Sequence, residues 1–320
     1  MDQETCIPVI ILNWNRSDLT LSLVKNISNV ENEVALRFIV VDNASSSEHR
    51  NTLIEFANVN DWSIATETEL QDSCLKTNQH ILLLLDKNYG YAKGNNFGLK
   101  LAQKLGYKYA LISNNDVVVE KPVLKRLILA FNELENVAVV GPRVYGPNGN
   151  RQGPYSKPNL YHYFFYPIFI PIFWPMKKLV KRILSKKVIS KKDEGITRYC
   201  YSLSGCFMLM DLDVVEKVGW FDENTFLYAE ENILAEKLEK VGYKMAYVDS
   251  VYIKHMHGQS TQKLGNKSRL WQQLNADLYY FRRYRGYGPI KLALVKAGFI
   301  YSHFFLHPVV SKIKEFIKKL

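Results

Sequence analysis

Residues 110–120 read ALISNNDVVVE: an apolar run, a break at Asn114-Asn115-Asp116, then three valines. Apolar residues on both sides of the break argue for a buried strand that delivers a carboxylate at its carboxyl end. Open α/β sheets bind their ligands there. A carboxylate in such a setting has to be paired, hydrogen-bonded or metal-bound, because an isolated buried charge is costly. Two readings of Asp116 follow. In one it holds a divalent cation, with Asn114 and Asn115 offering neutral oxygens, since a hard cation that also binds a diphosphate needs only one or two protein carboxylates. In the other the tripeptide is a turn whose side chains cap a helix near Pro122.

Upstream, residues 7–13 (IPVIILN) and 36–41 (LRFIVV) read as buried strands joined by an amphipathic helix over 18–29, a βαβ unit. Asp42 ends the second strand, placed either to accept hydrogen bonds from a nucleoside base or ribose or to cap a helix over 47–58. Residues 80–85 (HILLLL) form a third strand, followed by a loop from Asn88 through Gly90, Gly94 and Asn95 to Gly98. Its spaced glycines let the backbone approach a ligand while the amides of a helix over 92–105 point outward; plain turn chemistry produces the same letters.

Downstream, residues 137–144 (VAVVGPRV) read as a strand that Gly141-Pro142 turns into a loop. Ser204-Gly205-Cys206 precede the apolar run 207–210. Asp222, in the loop Gly219-Trp220-Phe221-Asp222-Glu223, comes before a helix opening at Tyr228-Ala229-Glu230-Glu231 and running to about Val241. Two carboxylates at a helix N-terminus are favoured by the dipole, which tends to keep them ionised. After a strand over 245–248, residues 254–260 (KHMHGQS) read as a loop. His255, with His257 as competitor, can ligate a metal there or hold a leaving phosphate.

The 320 residues, 47% hydrophobic, are enough for one large α/β domain or two smaller ones. Cys6, Cys74, Cys200 and Cys206 are scattered, with no zinc or disulfide framework, and a reducing cytoplasm is the expected home. The N-terminus shows no signal-peptide pattern. The net charge of +11 is uneven. Residues 176–192 hold eight Lys/Arg and no acid, and residues 282–320 hold nine against Glu315, so the remainder is mildly acidic. Residues 161–175 (YHYFFYPIFIPIFWP) are uncharged, aromatic and too proline-broken to span a bilayer. An aromatic wedge beside a basic amphipathic run suits an anionic membrane surface; a disordered or acceptor-covering flap is the alternative. Beyond a helix over 266–285 and another from Pro289, Val309, Ile313, Phe316, Ile317 and Leu320 form an apolar stripe with lysines largely off it. These basic runs carry apolar stripes and no nucleic-acid reader motif, so no nucleic-acid partner is expected.

In order, N-W-N, V-D-N-A-S-S, N-Y-G-Y-A-K-G-N-N and S-N-N-D resemble the nucleotide-sugar half of the family-2 glycosyltransferases, particularly their rhamnosyltransferase-like branch. S-G-C, G-W-F-D-E, Y-A-E-E and the H-x-x-G-x-S match at His255 resemble the rest of the catalytic block. The resemblance implies α/β architecture of the GT-A (Rossmann-like) type, a mixed sheet flanked by helices. It also implies donor contacts from Asn15, Asp42, Asn88, Gly90, Gly94, Asn95, Asn114, Asn115 and Asp116, and acceptor contacts from Gly205, Asp222 and Tyr228. Glu231, with Glu230 beside it, takes the catalytic position, and Asp116 and His255 hold Mn2+ or Mg2+. Three departures stand out: Asn114 occupies the first Asp of the D-x-D motif, Glu231 replaces the usual catalytic Asp, and Ile233 leaves E-D-x-D incomplete.

The implied activity is inverting transfer from a nucleotide-diphosphate sugar to a hydroxyl of a glycan or lipid-linked acceptor, in bacterial surface polysaccharide synthesis at the inner face of the membrane. The implied organisation is a catalytic domain over 1–265 and a membrane-associating helical region over 266–320. Within the first, 1–145 is the nucleotide-sugar half, 146–198 an aromatic and basic insertion, and 199–265 the acceptor half. A nucleotidyltransferase, for which Arg16 is the early basic residue, and a degenerate membrane-bound scaffold, motivated by Asn114 and Glu231, are the competing readings.

Overall fold

Alternate residues of β1 (Cys6–Asn13) define the two faces of the sheet in the computed structural model: Val9 and Ile11 pack into one core layer and Ile10 into the other. All three are fully buried, each contributing roughly 1.5–3 kcal/mol of hydrophobic stabilisation. The structure describes residues 6–70, 79–168, 196–256, 266–306 and 308. The basic run 176–192, Cys74, His257 and the stripe 309–320 lie outside them.

The chain divides into two units, Met1–Ser156 with Glu194–Gly265, and Lys157–Asp193 with Asn266–Leu320. The first contains a ten-stranded mixed sheet. After β1 come β2 (Ala35–Asp42), β3 (Ser63–Thr66), β4 (Ile81–Leu84) and β5 (Tyr109–Asn114). Then follow β6 (Val117–Val118), β7 (Val137–Tyr145), β8 (Thr197–Cys200), β9 (Phe207–Asp211) and β10 (Lys244–His255). Spatially the order is β3-β4-β2-β1-β5-β9-β7-β10-β6, with β8 paired to β10. The first five strands in that order are parallel, and β9 runs antiparallel between β5 and β7.

Helices α1 (Ser17–Val30), α2 (Ser47–Val59) and α4 (Leu124–Glu133) supply apolar residues to one core layer. Helices α3 (Gly90–Lys104), α5 (Leu212–Lys217) and α6 (Glu230–Lys240) supply the other. The chain turns outward from β1 to β2 and returns on its other side as β5, so a topological switch point opens beyond the carboxyl ends of these strands. Pairing of Asn13 with Asp42, and of Leu12 with Asn114, gathers the polar strand ends there.

Two local expectations are corrected. Gly141-Pro142 does not end β7, which continues to Tyr145 paired with β10. Pairing with β9 stops at Val140, so Pro142 needs no donor on that side. Lys254 and His255 are likewise strand, not loop, because β6 pairs with them antiparallel. A bulge in β10 between Val248 and Tyr252 holds Asp249 buried, its carboxylate 2.7 Å from Arg143 Nη2 and accepting from the Tyr247 hydroxyl.

In the second unit α7 (Asn266–Arg283) packs against α8 (Pro289–Ile300), which continues into a π-helical turn at Tyr301–Leu306. A second π-helical turn, Tyr161–Phe165, lies on α8, where a Cβ at Gly298 would come within 2.0 Å of the Tyr163 carbonyl oxygen. Among the described residues, no helix is long and apolar enough to cross a membrane.

Candidate active site

The site begins with sheet register. Pairing of His255 with Val117, and a 2.9 Å bond from the Met256 amide to the Asp116 carbonyl, place the imidazole beside the Asp116 carboxylate. His255 Nε2 lies 3.1 Å from Asp116 Oδ1, and both residues are buried. Burial lowers the imidazole pKa, but hydrogen bonds with Asp116 and Cys206 more than reverse this and raise it to about 10. The alternative role of Asp116 as a helix cap is excluded: Glu31 caps α4, accepting from the Val123 and Leu124 amides.

A carboxylate and an imidazole converging at one point fit a divalent ion whose remaining ligands are phosphate oxygens and water. No three His, Cys, Asp or Glu among the described residues form a metal cage. The donor set therefore suits an ion shared with a ligand, not one held by protein alone. The Asn114 backbone amide donates to the Cys206 carbonyl, and Asn115 is buried, its Nδ2 donating to Thr20 Oγ1.

The other residues expected to contact a donor are tied to one another by hydrogen bonds. Asp42 is fully buried; Oδ1 accepts from Asn13, and Oδ2 from the Ser45 amide and Arg50 Nε at 2.8 Å. Ser46, not Asp42, is the residue before α2. Asn15, at φ 54°, accepts from the Ser46 amide. Asn43 bonds Asn88 Oδ1, the Gly90 carbonyl and the Tyr89 amide. The close approach that the glycines permit is made by the protein itself. Gly90, at φ 78°, abuts the Phe226 carbonyl, and a Cβ at Gly94 would meet Leu12 at 2.7 Å. Asn95 bonds the Tyr91 carbonyl through Nδ2, and its buried Oδ1 has no hydrogen-bond partner.

Tyr91 joins this network to the segments around Gly205 and Phe226. Its amide donates to the Phe226 carbonyl and its hydroxyl to the Gly205 carbonyl. The Gly205 amide in turn donates to Glu231 Oε1 at 3.1 Å, and a Cβ on Gly205 would lie 2.3 Å from that oxygen. Glu230 is buried, with Oε2 unpartnered. The expectation that the dipole sets the charge of both acids is corrected. Burial, then the neighbouring Glu231, pushes the Glu230 carboxyl well above its ordinary range. Burial also raises Glu231, against opposing bonds from its own amide and that of Gly205. Desolvation outweighs the dipole here. Tyr228 and Ala229 precede the pair at φ 75° and 65°, a left-handed conformation held at an energetic cost. Asp222 is buried and accepts from the Asn224 amide and side chain in its own loop.

The sheet with its acids at the carboxyl edge is the GT-A fold of glycosyltransferases. Residues 9–193 match the model of Glycosyl transferase family 2, and the chain belongs to that family. Among curated relatives, the low-salt glycan biosynthesis hexosyltransferase Agl10 of Haloferax volcanii is 24% identical over 227 residues, 70% of this chain and 58% of that protein. An N-acetylglucosaminyl-diphospho-decaprenol L-rhamnosyltransferase of Mycobacterium tuberculosis is 25% identical over 154 residues, 48% of each chain. This chain thus spans about half the length of those relatives. The fold is shared with the mannosyltransferase PcManGT of Pyrobaculum calidifontis, solved with GDP-Man and Mn2+, at 16% identity and TM-score 0.52, covering 93% of this chain and 70% of that one. GalNAc-T7, solved with UDP, GalNAc and Mn2+, gives 11% identity and TM-score 0.56, covering 98% and 58%.

Cys206, Tyr91 and Gln152 complete the picture. The first two stand within quoted motifs, but their contacts depend on pairings across the fold. Gln152 lies in a Gly/Pro/Asn-rich loop with no local signal.

Proposed function

We propose that this glycosyltransferase moves a hexose from a nucleotide-diphosphate donor to a hydroxyl of a glycan or lipid-linked saccharide, inverting the anomeric centre. The observation that carries the reading is Glu231: a carboxylate fixed by the Gly205 amide, with its proton affinity raised by burial. A base so tuned accepts a hydroxyl proton effectively near neutral pH. In the step, Glu231 takes the acceptor O–H proton, the oxygen bonds to the anomeric carbon, and the bond to the diphosphate oxygen breaks, releasing nucleoside diphosphate. The donor lies across the loops following β1, β2, β4 and β5. Asp116 and His255 would hold Mn2+ or Mg2+, which supplies charge neutralisation for the leaving group.

The second unit supports association with an anionic membrane surface and hence a lipid-linked acceptor. Its only acid among the described residues, Asp277, is buried, while Trp271 and Phe305 are 45% and 62% exposed. Cations with exposed aromatics suit an anionic interface. The test is incubation with a panel of nucleotide sugars and polyprenyl-diphosphate-linked sugars, with and without Mn2+. Nucleoside diphosphate as product supports transfer, whereas pyrophosphate, or full activity in both Glu231→Gln and Asp116→Ala, sinks it. Sedimentation with vesicles containing phosphatidylglycerol, against neutral vesicles, tests the membrane surface separately.

A further inference from the structure

His255 uses both ring nitrogens. Nε2 faces Asp116, and Nδ1 lies 2.6 Å from Gln152 Oε1. An amide oxygen only accepts, so Nδ1 carries the hydrogen in this bond. The other end of the amide is seated as well: Gly146 has no side chain, and a Cβ there would meet Gln152 Nε2 at 2.7 Å. The backbone beneath is equally fixed. The Gln152 amide donates to the Val144 carbonyl at 3.0 Å, Arg151 bridges to Tyr145, and the Gly146 amide donates to the Asn150 carbonyl. A short hairpin off the end of β7 therefore carries the amide to the ring of the neighbouring strand, β10.

We propose that Gln152 is a positioning residue for His255, holding its Nδ1–H so that, when a cation takes the place of the Nε2 proton, the Nε2 electron pair is directed at the cation position beside Asp116. This rests on the reading of Asp116 and His255 as ligands of a diphosphate-bound ion. A histidine ligand needs its remote nitrogen anchored to fix ring orientation, and loss of such an anchor typically weakens metal affinity 10–100-fold. Gln152 meets that need without adding a charge, which keeps the site at one carboxylate.

The test compares the full-length wild type with Gln152→Leu, Gln152→Glu and His255→Ala, all checked for folding by circular dichroism. Titration with MnCl2, following the free ion by electron paramagnetic resonance, reads affinity. Nitrogen-15 NMR of histidine-labelled protein saturated with Mg2+, a diamagnetic ion, reads the tautomer of the ion-bound ring. Expected results are an affinity loss of about tenfold or more in Gln152→Leu, a shift of the His255 ring signals toward the Nε2–H form, and recovery of both in Gln152→Glu, which keeps the acceptor. Unchanged affinity and ring signals in Gln152→Leu, with affinity lost in His255→Ala, would overturn the role of Gln152 alone. Wild-type affinity in His255→Ala would overturn the metal-ligand reading beneath it as well.

Discussion

Asp42 and Glu230 are both buried carboxyl groups at the same edge of one sheet, yet their surroundings are opposite. Asp42 receives the Asn13 side chain, the Ser45 amide and the Arg50 guanidinium, so its charge is fully compensated. Glu230 has an oxygen with no partner, a second acid next to it and a strained backbone before it. Burial with compensation ties loops together; burial without it raises proton affinity at a cost in stability, a combination that clusters at functional sites. On the proposed reading, the two carboxyls separate the frame of the site from its chemistry.

The largest expected effect falls on the chemistry. Glu231→Gln should lower transfer by roughly a hundred- to ten-thousandfold while donor affinity, measured by calorimetry, stays near wild type. A parallel loss of donor affinity would place Glu231 in the frame instead. Asp42→Asn should act the other way, lowering the unfolding free energy by about 2–3 kcal/mol once the partial exposure of Arg50 is allowed for, as read from urea midpoints. A change within experimental error would break the contrast.

Glu230→Gln should stabilise, by about 1–2 kcal/mol at pH 8. The sign follows from its raised pKa in the folded state. Above about pH 4.3 the unfolded chain releases a proton that the native state retains, so wild-type stability falls as pH rises toward the folded-state value. The substituted protein should show a flatter urea-midpoint profile over that window, and an unchanged slope would break the contrast by removing the raised proton affinity of Glu230. The smallest effect is expected for Ala229→Gly, where release of the left-handed strain offsets lost side-chain burial and leaves a gain of up to about 1 kcal/mol. Thermal melts would detect it, with a lowered melting temperature as the contrary result.

The parallel strands were legible in the sequence because residues such as Ile10, Ile39, Leu82 and Ile112 form unbroken apolar runs that only a sheet covered on both faces can bury. The positions of Asp42 at the end of β2 and Asp116 just past the end of β5 were legible where each apolar run breaks. Three things were not. The continuation of β7 through Pro142 depends on which neighbour is missing at that position. The raised proton affinity of Glu230 depends mainly on its burial in the finished fold, which no local pattern encodes. The glycines of the Asn88 loop read as room for a ligand, but Phe226, far along the chain, fills the space at Gly90.

The pairing of β6 with the end of β10 also carries a message about time. Asp116 leaves the ribosome early in the making of the catalytic unit, and His255, its neighbour in the finished sheet, emerges near that unit's end. At ordinary rates of synthesis the interval is on the order of ten seconds. During it the central strands can assemble while the site that they frame is still missing a wall. On the proposed reading, a nascent chain stalled before β10 would lack His255 beside Asp116, and the ion position would be complete only once β10 has docked.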